Sequence, residues 1–276
     1  ARDYGGNTST VSTIEIKIGT PDLAASSDLG TSSSDNLTSD NTPTFSVPAT
    51  ISGGGVITAT KAGTSNVTCS LSSRSCTLGT LEDGTWIITA TDSSATSNSL
   101  SITIDTLAPS GTLAPATLSG SANATVQSTE AGTAYLVKST VSVTSLTSIT
   151  ASGGALWNSI SVNASTDTNL SVSGLELGDY YLYIVDGAGN ISTKSTDKVI
   201  VSMSAPSTPD LNSSSDLGIS STDNLTADDT PTIDLTGLTT GAVVTVTATP
   251  NSGSPVTCSF TATSGSQGCT FSPALV

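Results

Sequence analysis

One stretch of the sequence occurs twice. Residues 20–47 read TPDLAASSDLGTSSSDNLTSDNTPTFSV and residues 208–235 read TPDLNSSSDLGISSTDNLTADDTPTIDL, with 19 of 28 positions identical at a constant offset of 188. Each copy runs from a proline-containing linker, through a turn region rich in Asp, Asn and Ser, to a Thr-Pro-Thr that begins an alternating strand. A repeat this close indicates a copied module, so we expect a series of small domains.

The composition favours thin sandwiches of β-strands. Ser and Thr supply 99 of the 276 residues, while aromatic residues make up only 4%. Thr, Val and Ile suit strands because their branched side chains fit a pleated, half-buried surface. Two facing sheets need a core layer only about 10 Å thick, which Val, Ile, Leu and Ala can fill. The predicted fold class is therefore all-β.

Turn and strand patterns divide the chain into four predicted segments. Residues 20–105 form the first complete module, with Trp86 filling its core, and residues 106–203 form a second, divergent one with a possible short helix over 143–149. Residues 204–276 copy the first module but lack its last strands. Residues 1–19 match the turn and strand that close a module, so they are expected to be the closing hairpin of a preceding domain or of a neighbouring copy.

The four cysteines form two close pairs, Cys69 with Cys76 and Cys258 with Cys269. One disulfide per hairpin, joining neighbouring strands in an oxidising compartment, is the favoured interpretation. The alternative is four reduced thiols. Zinc is disfavoured because the two-residue cysteine spacing and histidine are both missing from the sequence.

Charge and residue types exclude several classes of function. The net charge is −15, from 22 acidic against 7 basic residues, which argues against nucleic-acid binding and against an anionic membrane surface. No apolar run reaches about 18 residues, so no membrane insertion is expected in this region. The chain contains no histidine. With neither a Ser-His-Asp triad nor a carboxylate placed in an apolar pocket, an enzyme is not expected.

The repeated stretch, together with the Asp-x-Ala-Gly-Asn turn at residues 186–190, resembles the bacterial Ig-like repeats of giant cell-surface and biofilm adhesins, including RTX-type adhesins. The resemblance covers the first and third modules well and the middle one more loosely. It implies tandem Ig-like β-sandwich domains arranged as an extended extracellular rod, often with calcium at the joints. The close cysteine pairs depart from the cysteine-poor pattern of such repeats.

The resemblance and the chemistry of the turn region together suggest calcium as a cofactor. Calcium takes 6–8 oxygen ligands from carboxylates, amides and backbone carbonyls, which Asp/Asn loops supply. The same residues also bond their own backbone in turns without any ion, and this alternative stays open. The closing turn of the module before each joint is expected to contribute Asp3 or Asp186. The remaining candidates are Asp28, Asp35, Asn36 and Asp40 in the first copy, and Asp216, Asp223, Asn224 and Asp228 in the second.

Three functions are compatible with these features. The first is a non-catalytic stalk of a secreted or surface adhesin, whose partners are further repeats of the same chain. The second is a self-assembling filament subunit, in which residues 1–19 complete the open module 204–276 of a neighbouring copy. The third is a carbohydrate-binding module that uses the aromatic cluster Trp157, Tyr180, Tyr181 and Tyr183, of which one is expected in the core.

Overall fold

The computed structural model describes residues 19–51, 54–93, 95–272 and 274–275. The predicted hairpin of residues 1–19, including Asp3, lies outside these ranges apart from Gly19. Short strands dominate the described part of the chain. The first eight are β1 (Asp22–Leu23), β2 (Leu37–Thr38), β3 (Thr44–Ser46), β4 (Val56–Thr60), β5 (Val67–Ser70), β6 (Ser75–Thr77), β7 (Gly84–Thr91) and β8 (Leu100–Ile104).

These eight strands form the first sandwich. One sheet has the order β2-β8-β7-β4-β5, with β2 parallel to β8 and the other pairs antiparallel, and the second has the order β1-β3-β6. Side chains alternate along β7, where Trp86 and Ile88 point inward and Thr85 and Ile87 outward. Trp86 is buried and donates its indole N–H to the Glu82 carbonyl oxygen over 2.8 Å. The prediction that Trp86 fills this core is confirmed.

Both predicted cysteine pairs are disulfide-bonded, but they do not join neighbouring strands of one sheet. Cys69 lies on β5, whose partner is β4, whereas Cys76 lies on β6, whose partner is β3. The tight turn at residues 72–75 connects these two strands, and each strand belongs to a different sheet. The prediction that the disulfide joins neighbouring strands is therefore wrong, because the bond joins the two sheets of the sandwich.

The next part of the chain contains eight strands and one helix. The helix begins after Ser145, whose side chain accepts from the Ser148 backbone N–H in a capping box. It is shorter than, and shifted from, the predicted 143–149 segment. The elements are β9 (Gly111–Leu113), β10 (Ala116–Ser119), β11 (Asn123–Ser128), β12 (Gly132–Lys138), α1 (Leu146–Thr150), β13 (Trp157–Val162), β14 (Thr168–Ser171), β15 (Gly178–Asp186) and β16 (Lys198–Ser202).

In a second sandwich, β12 pairs antiparallel with β13 on one side and with β15 on the other. Its facing sheet has the order β14-β11-β9. The two sheets meet closely at Gly111, where an added Cβ would lie 2.8 Å from the Ile184 side chain. Tyr180, Leu182 and Ile184 on β15 are buried toward this core, whereas Tyr181 and Tyr183 lie on the opposite face.

The last strands are those of the repeated module. The strands β17, β18 and β21 form one sheet and β19 and β20 form another, all antiparallel. Buried Leu235, Leu238, Val244 and Ala262 form the core. The Cys258–Cys269 bond again joins the two sheets, because Cys258 lies on β20 and Cys269 on β21. The bounds are β17 (Asp210–Leu211), β18 (Thr232–Thr236), β19 (Val243–Ala248), β20 (Val256–Thr261) and β21 (Ser266–Thr270).

The chain contains two compact units. The first includes the residues up to Pro115, Ala124–Leu170 and Tyr180–Lys198, and the second includes Ala116–Asn123, Ser171–Asp179 and Val199–Val276. Both units are built from strands, which confirms the all-β fold class. The four predicted segment boundaries stay a prediction. Over the residues that the structure describes, no helix has the length and apolar character needed to cross a bilayer.

Candidate metal centre

Three carboxylates lie together where the first sandwich meets the second, within the first compact unit. Asp105 follows the end of β8, Glu130 lies between β11 and β12, and Asp186 ends β15. One ligand oxygen from each lies within 4.8 Å of the others. Asp186 is buried and the other two are half-buried. The topology thus brings together three acids that are far apart in sequence.

Asn190 organises this cluster. Its backbone N–H donates to Asp186 Oδ1 over 2.9 Å, and its Nδ2 group donates to Asp186 Oδ2 over 2.9 Å. The same Nδ2 group donates to the Asp105 carbonyl oxygen over 2.8 Å. Asp105 Oδ1 accepts from the Leu107 backbone N–H over 3.1 Å, at the start of the second module. The side-chain orientations of both aspartates are therefore fixed by hydrogen bonds.

The negative charges of the three carboxylates repel one another. Burial, followed by the neighbouring charges of Asp105 and Asp186, raises the pKa of Glu130 above its ordinary value. A cation between the three acids would remove this repulsion. Two oxygens on opposite sides of a calcium ion are about 4.8 Å apart, because each Ca–O distance is about 2.4 Å. The separation of the three ligand oxygens fits that range.

The turn that carries Asp186 packs against the repeated stretch of the first module. The Thr31 backbone N–H donates to the Gly187 carbonyl oxygen over 3.0 Å. Gly189 has a φ of +90°, and an added Cβ there would lie 2.5 Å from the Leu29 carbonyl oxygen. At Gly30 an added Cβ would lie 2.5 Å from the Gly187 oxygen. Two glycines are thus required for the backbones to approach each other.

This position differs from the predicted one. Asp186 was expected beside the second copy of the repeat, but its turn contacts the first copy. The reason lies in the strand directions: Ser128 pairs with Gly111, and Gly132 pairs with Asp186. The end of β15 therefore lies at the end of the sandwich where the chain arrives from the first module. The turn after β15 therefore lies next to the module that precedes it in the chain.

Several predicted ligands instead make local turn bonds. Asp35 Oδ1 accepts from the Leu37 N–H over 3.1 Å, and Asp40 Oδ1 accepts from the Thr42 N–H over 2.9 Å. The second copy repeats both contacts, with Asp223 to Leu225 over 3.1 Å and Asp228 to Thr230 over 2.9 Å. These bonds are the turn chemistry that had been left open as the alternative to a metal site.

The two predicted asparagines have backbone roles. Asn36 and Asn224 adopt left-handed conformations, with φ of 60° and 57°. The carbonyl of Asn36 accepts from the Thr103 N–H over 2.8 Å, and the Asn224 side-chain oxygen accepts from the Leu211 N–H over 3.0 Å. Both residues therefore hold the turn region in place.

Asp28 and Asp216 differ from the other predicted ligands. Each is only 4% exposed, and Oδ1 of each lacks a hydrogen-bond donor among the described residues. Burial, and secondarily the charges of Asp35 and Asp22, raises the pKa of Asp28. Asp216 Oδ2 accepts from the Asn224 N–H over 3.3 Å. The repeat therefore carries one buried acceptor oxygen per copy, separate from the three-carboxylate cluster.

The sequence interpretation identified one member of that cluster, Asp186, and missed Asp105 and Glu130. Neither lies in the repeated stretch, and each is an isolated acid at the end of a strand. The sequence offered one indication of this site, which is that Asp105 lies at the boundary between two predicted modules.

Comparisons with solved structures give low similarity. A structure described as the BSP domain of a biofilm-associated protein is 18% identical with a TM-score of 0.24, covering 67% of this chain and 29% of that one. A glucan-utilisation protein of Bacteroides ovatus, solved with a mixed-linkage heptasaccharide, is 13% identical with a TM-score of 0.22, covering 68% and 47%. Salmonella alpha-2-macroglobulin is 11% identical with a TM-score of 0.20, covering 85% and 20%. The chain thus spans less than half the length of each, and these scores support no argument about function.

Sequence comparisons are more decisive. No curated protein matches the chain. The family model for the bacterial Ig-like domain matches residues 13–106 and 202–275, which is more than half of the sequence. The two matched segments contain the two copies of the repeated stretch, and their strands form the sandwiches described above. The chain belongs to the bacterial Ig-like domain family.

Proposed function

We propose that this chain is a non-catalytic structural segment of a secreted or surface-displayed bacterial adhesin or extracellular fibre, stiffened by calcium at the joint between sandwiches. The observation that carries this proposal is the cluster of Asp105, Glu130 and Asp186, whose ligand oxygens lie within 4.8 Å of one another. Asp105 comes from the end of the first module, and the other two come from the second. A cation bound by all three would tie the modules together.

Calcium suits this cluster better than magnesium. Calcium accepts carboxylate and carbonyl oxygens in flexible geometry, whereas magnesium requires a near-ideal octahedron and keeps several waters. The residues here come from a linker, a loop and a strand end, and are not arranged by one rigid element. We assign the three carboxylates as the ligands, because one oxygen of each lies within 4.8 Å of the others.

The two disulfides support an extracellular location. Disulfide bonds form and persist in oxidising compartments and are rare in reducing ones. Both bonds in this chain join the two sheets of a sandwich with few aromatic residues. A cross-link suits a thin core, because it stabilises the fold by restricting the unfolded chain.

Calorimetric titration of the calcium-free chain tests the proposal. Wild type is expected to bind calcium more tightly than magnesium, and Glu130→Gln is expected to weaken the joint site at least tenfold. Asp197→Asn, which removes an exposed carboxylate, is the matched control and should leave calcium binding unchanged. Equal binding by wild type and Glu130→Gln would exclude the three-carboxylate cluster as the site.

A filament subunit is the second candidate, and one observation favours it. In the first sandwich β4 pairs with β5 on one side and β7 on the other. Its counterpart β19 pairs with β20 alone among the described residues. Ile57 and Val246 both face a disulfide cysteine, yet Ile57 is fully buried and Val246 only half-buried. A strand from residues 1–19 of a neighbouring copy would fill this edge. If the full chain sediments as a monomer at millimolar concentration, assembly through residues 1–19 of a neighbouring copy is excluded.

A further inference from the structure

A groove of about 360 Å³ lies on the outer face of the second sandwich. Tyr181 and Tyr183 on β15 line its floor, together with Lys138 at the end of β12. Ser139, Val141, Ser142, Val143 and Lys194 also line the groove. All of these residues belong to the first compact unit. The groove is distinct from the carboxylate cluster, with which it shares no residue.

Strand alternation presents the two tyrosines to the groove. Tyr180 is fully buried on the core face, so its neighbours at odd positions point to the other side of the sheet. Tyr181 and Tyr183 are both half-buried there. The Cα atoms of the two tyrosines are about 6.6 Å apart, because these residues are two positions apart on one strand. The floor therefore offers two neighbouring aromatic rings.

The groove presents a basic side chain in an acidic protein. The chain has 7 basic and 22 acidic residues, and Lys194 is one of the residues that line this groove. Lys194 is exposed, and its Nζ lies 4.3 Å from the centre of the Tyr181 ring. A cation over an aromatic face is attracted by the ring quadrupole, which holds the ammonium group at the groove. An anionic ligand repelled by the rest of the surface is therefore attracted here.

We propose that this groove binds a carboxylated saccharide. The Lys194 ammonium group would donate a charge-assisted hydrogen bond to the carboxylate. The Tyr183 ring would pack against the C–H groups of a sugar ring, and the Tyr181 ring would hold Lys194 at the groove. The hydroxyl groups of Ser139 and Ser142, which also line the groove, would bond sugar hydroxyls.

An acidic peptide fits the same groove less well. Extended peptides commonly bind by adding a strand to an open sheet edge. At this floor β12 and β15 are paired with each other from Gly132–Asp186 to Lys138–Tyr180, so no backbone edge is open to a peptide. A saccharide needs no such edge, because its contacts are ring faces, hydroxyls and the carboxylate.

The test is a calorimetric titration of the full chain with hexagalacturonate, in EDTA so that calcium plays no part. The neutral probe is the same hexamer with its carboxylates methyl-esterified. The variants are Lys194→Gln and Tyr181→Ala. The matched control is Lys61→Gln, because Lys61 also lies over an aromatic ring, 5.7 Å from the centre of Trp86, but outside the groove.

We expect the wild type to bind hexagalacturonate, with affinity at least tenfold lower for the methyl ester, for Lys194→Gln and for Tyr181→Ala. Lys61→Gln should bind like wild type. Absence of wild-type binding at millimolar probe, an equal affinity for the methyl ester, or an equal loss in Lys61→Gln would overturn the proposal. Tighter binding of hexaglutamate than of hexagalacturonate would overturn the saccharide in favour of an acidic peptide. Circular dichroism of each variant verifies the fold.

Discussion

The Asn190 side chain donates a hydrogen bond to the Asp105 carbonyl oxygen over 2.8 Å, although the two residues are 85 positions apart in sequence. Asp105 ends the first sandwich, and Asn190 lies in the turn after the long strand β15 of the second. The same Nδ2 group also holds Asp186. One amide therefore links the backbone at the end of one module to the buried carboxylate of the next, and it orients Asp186 at the joint.

Replacing Asn190 by alanine should weaken this joint. The change removes two side-chain hydrogen bonds, one of them to a carboxylate, and leaves Asp186 Oδ2 without that donor. We expect the free energy of unfolding to fall by roughly 1–3 kcal/mol. Urea denaturation measures the change. The exposed Asn163 supplies the control, since Asn163→Ala should cost less than about 0.5 kcal/mol. Equal losses in the two variants would show that the Asn190 bonds do not stabilise the joint.

Glu130→Gln should alter the pH dependence of stability in the absence of calcium. The pKa of Glu130 is raised in the folded protein, so its protonated form favours folding. That contribution is fully present below the ordinary value of 4.5 and is lost as the pH rises through the raised pKa. Wild type should therefore lose stability relative to Glu130→Gln as the pH rises from 4.5 through that raised pKa, and it should stay less stable up to neutrality. Urea denaturation at a series of pH values, with EDTA present, measures the difference.

Calcium should reverse the order of stability of wild type and Glu130→Gln. A cation that binds the folded cluster stabilises it by mass action, and it does so more for the carboxylate than for the amide. At neutral pH and millimolar calcium, wild type should melt at a higher temperature than Glu130→Gln. A melting temperature of wild type that is the same in calcium and in EDTA would exclude a stabilising ion.

Removing the first disulfide should destabilise the first sandwich. The Cys69–Cys76 bond has a sequence separation of 7, and a loop this short corresponds to about 2–3 kcal/mol of chain entropy. The double variant Cys69→Ala, Cys76→Ala should lose about this much. The chain has two tryptophans, so in a Trp157→Phe background the fluorescence of Trp86 reports this sandwich alone. A reductant should lower the stability of the disulfide-bonded protein but leave this transition unchanged in the double variant.

Trp86→Ala should cost more than any single surface change. Trp86 is 2% exposed in the first core, and truncation would leave a cavity that costs about 3–5 kcal/mol. Differential scanning calorimetry should show a large downward shift of one transition. The half-buried Trp157 is the comparison, and Trp157→Ala should produce a smaller shift. Shifts of equal size would contradict the central role of Trp86 in its core.

Local patterns were sufficient to predict much of the fold. The alternation of Trp86 and Ile88 with outward residues is visible in the sequence directly after the Asp83-Gly84 pair, and β7 begins at Gly84. One residue of the aromatic cluster was expected in the core, and Tyr180 is that residue. These features depend on residues that are near one another in sequence, where period and turn chemistry are directly visible.

Contacts between distant residues were not predicted correctly. The strand pairings that send Cys69 and Cys76 to different sheets depend on β3 and β4, which no cysteine spacing reveals. The approach of Asp105, Glu130 and Asp186 depends on the direction in which β15 crosses its sheet. Acid-rich turns drew the metal prediction to Asp35 and Asp40, which make local bonds instead. Of the predicted ligands, only Asp186 belongs to the three-carboxylate cluster, and calcium binding stays a prediction.

The most direct test of a calcium-locked joint is a distance measurement by pulsed electron spin resonance across it. Spin labels at Ser101→Cys on β8 and Ser159→Cys on β13 would report the first and second sandwiches, because both serines are exposed and the native cysteines are disulfide-bonded. We expect a narrow distance distribution in calcium that broadens in EDTA, and a broad one in Glu130→Gln under both conditions. An equally narrow or equally broad distribution for wild type with and without calcium would contradict this expectation.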